Sequence, residues 1–69
     1  MKLPVEVNPE ILGGTPVIAG TRVPVATLFD YLMDGFDLEE FLEYFPTVKR
    51  GDVLRILDHS KAEALTAAA

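Results

Sequence analysis

The chain has 69 residues, 49% of them hydrophobic, with no cysteine and a net charge of −5. That length makes one domain, which buries only about 60% of the surface its unfolded chain exposes. Without cysteine, disulfides and thiolate metal sites are excluded, so the hydrophobic surplus points to self-association as a homodimer.

The N-terminal third reads as a β arm over residues 1–24. Val5 to Val7 alternates weakly as a short strand before the turn-forming pair Asn8-Pro9. The segment Gly13-Gly14-Thr15-Pro16-Val17-Ile18-Ala19-Gly20-Thr21-Arg22-Val23-Pro24-Val25 follows. Pro16-Val17-Ile18 and Arg22 to Val25 are strand-like, with Ala19-Gly20-Thr21 as the bend between them. Pro16 and Pro24 cannot donate to a ladder and confine these strands to edges. A two-stranded hairpin is marginal alone, so it is expected to pair with another copy or to lie against the helices.

Three helices are predicted next, as a bundle over residues 25–65. The first runs from about Val25 to Asp34, with Val25, Leu28, Phe29 and Leu32 on one face and Gly35 as its stop. The second runs from about Leu38 to Phe45. Asp37 is its N-cap, and Glu40 completes a capping-box spacing. Leu38, Phe41, Leu42 and Phe45 form its apolar stripe, and Pro46 ends it. The third starts near Arg50; Val53, Ile56, Leu57, Ala64 and Leu65 are expected to face inward, and Arg55, His59 and Ala62 outward. Residues 66–69 are expected to fray. Three short helices with a Pro46-Thr47-Val48-Lys49 turn match either a helix-turn-helix or a plain three-helix fold.

Several chemistries are poorly supported. No Lys follows Gly20 as a P-loop requires, and no G-x-G-x-x-G fingerprint is present. The chain has one histidine, His59, and no elbow-type serine motif, so a non-enzymatic protein without cofactor or metal is expected. The carboxylate pairs Asp30/Asp34 and Glu39/Glu43 read as a solvated acidic face. Arg22 could fork onto a carboxylate or phosphate; the plainer expectation is a tie from the hairpin to an acid of the first or second helix. Lys49, Arg50, Arg55 and His59 are the candidate DNA contacts, since recognition helices use their N-terminal residues. Asp52, Asp58 and Glu63 nearly neutralise that helix, and the acidic total argues against indiscriminate nucleic-acid binding. No apolar run approaches the roughly 20 residues of a membrane span. Met1 to Pro4 also lacks the apolar stretch of a signal peptide, making the cytoplasm the expected compartment.

Asn8-Pro9 with Gly13 to Val25 resembles the signature of the family known as domain of unknown function 433. Leu32-Met33-Asp34-Gly35, Leu38-Glu39-Glu40, Tyr44-Phe45-Pro46 and Asp52-Val53 fit it too, so the similarity runs from about Val5 to Ser60. The resemblance implies a mainly α, homeodomain-like helix-turn-helix protein with a short N-terminal β hairpin arm, usually dimeric. It further implies a bacterial type II antitoxin whose partner is a neighbouring PIN-like ribonuclease, with repression of the shared promoter as a second activity. The family carries no agreed catalytic residues. Lys49 departs from the pattern, which has Thr or Ser there as an N-cap three residues before Asp52; Thr47 is the substitute cap.

On this reading the arm residues Gly14, Pro16, Ile18, Gly20, Thr21, Arg22 and Val23 assemble the dimer, and the third helix meets promoter DNA. Glu39, Glu40 and Glu43 lie against basic surface on the toxin. The alternative is a helix-turn-helix or protein-interaction module with no toxin partner.

Overall fold

The computed structural model describes residues 2–67. Strand β1 (Val5–Glu6) is followed by a 3-10 turn over Leu12–Gly14 and strand β2 (Val17–Ile18). Helices α1 (Val25–Met33), α2 (Leu38–Tyr44) and α3 (Arg50–Ala67) complete the chain. The fold is mainly helical, with one small antiparallel sheet.

The arm differs from a simple hairpin. β2 pairs with β1, in the register Val5 to Ile18 and Glu6 to Val17, while the return leg contributes one bridge, Val17 to Pro24. Pro24 has no N–H to give, so the ladder stops there. The return leg is still fastened, because Ile18 N donates to Val23 O (2.9 Å) and Val25 N to Pro16 O (3.0 Å). Between them the chain turns over residues 18–21, closed by Thr21 N to Ile18 O at 3.0 Å. Gly20 holds the third position of that turn with φ of 76°, a conformation open to glycine. Thr21 is buried and locks the turn: its hydroxyl donates to Ile18 O (2.8 Å) and accepts from Val23 N (3.0 Å).

Helix ends follow local chemistry. α1 closes in a Schellman motif. Gly35 N donates to Leu32 O, Phe36 N donates to Tyr31 O, and the Tyr31 and Phe36 rings meet at 5.1 Å. α2 opens with a complete capping box: Glu40 N donates to Asp37 Oδ1 (2.8 Å) and Asp37 N donates to Glu40 Oε1 (3.0 Å). α3 opens without one. The Lys49 carbonyl accepts from Asp52 N and Val53 N, and among the described residues no Thr47 side-chain bond provides the anticipated cap.

Ile18, Val23, Leu28, Phe41, Val48, Val53 and Ile56 form the core, drawing on every layer of the chain. Tyr31 sits at the centre of an aromatic cluster, within 5.1–6.0 Å of the rings of Phe36, Phe41, Tyr44 and Phe45. α3 departs most from expectation. Only Val53 and Ile56 are buried on it. Residues 61–67 are exposed, Ala64 and Leu65 among them, although the sequence places those two inward. No other element extends far enough to cover them. The helix also continues through Ala67, so the frayed tail does not begin at 66; residues 68 and 69 lie outside the described residues. No helix among the described residues is long and apolar enough to cross a membrane.

Candidate interaction surfaces

The basic residues of α3 are largely engaged with the chain itself. Arg50 forms an ion pair with Glu39, joining the start of α3 to the first turn of α2. Arg55 Nη2 donates to the Lys2 carbonyl at 2.7 Å, and Nη1 stands 3.9 Å from Asp52 Oδ1. Arg55 therefore anchors the N-terminal segment on α3. His59 Nε2 lies 3.3 Å from Glu63 Oε1, one turn on. Lys49 is exposed. Of the four candidate DNA contacts, Lys49 alone has no side-chain partner among the described residues.

α2 presents the acidic surface. Glu39, Glu40 and Glu43 are all exposed. Glu39 meets Arg50 and Glu40 serves the capping box, which leaves Glu43 unengaged. Tyr44, 60% exposed, borders these acids and rests its ring on Tyr31 and Phe36 at 6.0 and 5.9 Å. Asp30, Asp34 and Asp37 extend the negative surface over the end of α1, and no Lys or Arg lies between residues 30 and 45. The sequence offered no signal for Tyr44 as an exposed aromatic, because its helical position borders the apolar stripe.

The arm offers less outer surface than its sequence implies. Ile18, Thr21 and Val23 are buried in the chain's own core. Gly14, Pro16, Gly20 and Arg22 remain at or near the surface. Arg22 makes no ion pair among the described residues, so the anticipated tie to an acid of α1 or α2 is absent. It borders a shallow depression of about 580 Å³ with Glu6, Ile11, Gly20 and Thr47. A second depression, of about 420 Å³, lies where Lys2 and Leu3 meet Leu54, Arg55, Asp58 and Ala62. Leu12 carries a φ of 49°, unusual for a residue with a Cβ, and its carbonyl is held by the Thr15 hydroxyl at 2.9 Å.

Residues 5–59 match the family described as protein of unknown function, DUF433. An uncharacterized Sinorhizobium fredii protein is 46% identical over 41 residues, covering 59% of this chain and 19% of that protein. The chain thus spans about a fifth of this curated relative. The crystal structure of a DUF433 member protein from Anabaena variabilis superposes with a TM-score of 0.73 at 26% identity. That alignment covers 94% of this chain and 64% of the other, slightly under two thirds of its length. With its helices, its arm and most of its length inside the matched region, the chain belongs to the DUF433 family.

Proposed function

We propose that this chain is an antitoxin-like, non-catalytic binding domain of the cytoplasm that engages a basic protein partner through the outer face of α2. The observation that carries this reading is the uninterrupted negative surface of α1 and α2, with the exposed Tyr44 at its edge. Aromatic residues are enriched at interface centres, and like-signed surfaces steer oppositely charged partners. The family resemblance makes a neighbouring PIN-like ribonuclease the expected partner, its RNA-binding surface being the basic counterpart.

Co-expression with each adjacent reading frame tests this. A toxic neighbour should be neutralised and should co-purify in a stable complex. Glu43→Lys combined with Tyr44→Ala should weaken that complex while leaving the helical spectrum unchanged. A complex indifferent to both substitutions would remove α2 from the interface.

Promoter DNA is the second reading. It takes α2, the 45–49 connection and α3 as a homeodomain-like helix-turn-helix. Lys49, exposed at the start of α3, favours it. Arg50 is held only by a pair whose side chains are 54% and 67% exposed, and such a pair is weak enough to exchange for phosphate. A DNA complex should lose affinity linearly with the logarithm of salt, and Lys49→Ala should flatten that slope. An unchanged slope would argue against contact by this helix.

A further inference from the structure

We infer that α3 carries a self-complementary stripe on which a second copy of the chain docks antiparallel. Leu54, Asp58, Lys61 and Leu65 recur at i, i+4, i+7 and i+11, which places them within about 60° of arc on one helix face. All four are exposed, Leu54 at 47% and Leu65 at 64%. Val53 and Ile56 take the far side of the helix into the core.

The stripe is palindromic about the point midway between His59 and Ser60. Leu54 and Leu65 are equidistant from that point, as are Asp58 and Lys61, and as are Leu57 and Ala62. A two-fold axis there sets Leu54 against the partner's Leu65, and Asp58 against the partner's Lys61, each relation occurring twice. That is the defining property of an isologous interface. Leu57, half-buried at the core margin, meets the small side chain of the partner's Ala62.

Two observations make a second copy the occupant. The charges are complementary to themselves, and they are unspent: Asp58 and Lys61 make no ion pair among the described residues, whereas Arg50, Arg55 and His59 each have one. Residues 61–67 also receive no packing from their own chain. The depression between Leu3 and α3, bordered by Leu54, Asp58 and Ala62, leaves room beside the stripe for the second helix. The dimer contact thereby moves from the β arm, where the sequence alone placed it, to α3. The α2 face remains free, so this inference and the antitoxin reading stand or fall separately.

Sedimentation equilibrium of the full chain across a concentration series tests the proposal. The natural chain should move from monomer to dimer. Asp58→Lys and Lys61→Asp each turn both cross-pairs into like charges, and should weaken association by about tenfold or more. An equimolar mixture of the two variants restores opposite charges at both positions and should dimerise again, as should the double variant D58K/K61D. Circular dichroism confirms the fold of each, since these side chains are exposed. A natural chain that stays monomeric, single variants that dimerise undiminished, or a mixture that stays monomeric would each overturn the proposal. Undiminished single variants would place the contact elsewhere, such as on the β arm.

Discussion

Two hydrogen bonds and one ring contact at the end of α1 depend on Gly35 holding a φ of 97°. A Cβ built there meets nothing within 4 Å, so the cost of a substitution is conformational and not steric. Gly35→Ala should lose about 1 kcal/mol, and Gly35→Asn less, because asparagine tolerates the left-handed region. Asp37→Ala should cost about as much, by freeing the Glu40 N–H and dissolving the capping box. For a domain this small, each such loss should lower the melting temperature by about 4–8 °C, readable in a thermal scan. A Gly35→Ala variant melting with the natural chain would show that the Schellman turn adds nothing.

At the scale of elements, the fold is held by its aromatic seam and hardly at all by its ion pairs. Phe41 is fully buried and packs its ring against Tyr31 and Phe45 at 5.8 and 4.9 Å. Phe41→Ala should therefore cost about 3–5 kcal/mol, comparable to the whole stability of a small domain, and leave the chain largely unfolded by circular dichroism. The Glu39–Arg50 pair joins α2 to α3 but both partners are exposed. A double-mutant cycle on it should return under about 1 kcal/mol. These two elements also mark how far the sequence is legible. The α2 capping box and the Gly35 stop are readable because all their partners lie within a few residues. The apolar faces of α1 and α2 are readable for the same reason. Tyr31 as the aromatic hub is not, since its helix position is a flank and its ring partners come from the next helix. Arg55 bonding the Lys2 carbonyl, 53 residues away, has no local signal at all. The inward placement of Ala64 and Leu65 failed for a related reason: periodicity predicts a face, but only a neighbour in space can bury it.

The molecule as a whole is built around a helix longer than its core requires. α3 has 18 residues, a length of about 27 Å, in a chain whose longest dimension is 38 Å. Every α3 side chain packed into the core, Val53, Ile56 and Leu57, precedes Ser60. Removing residues 61–69 should therefore leave the dilute, monomeric protein within about 1 kcal/mol of the natural chain, since only exposed helix is lost. The same truncation removes Lys61 and Leu65, half of the palindromic stripe. Association stabilises the folded state by mass action, so a dimerising chain melts at a temperature that rises with protein concentration. The full chain should show that rise and the truncated chain should not, while the two converge at high dilution. Convergence with equal slopes would mean that the overhang takes no part in assembly. A truncated chain already destabilised at high dilution would mean that residues 61–67 support the monomer through the helix itself.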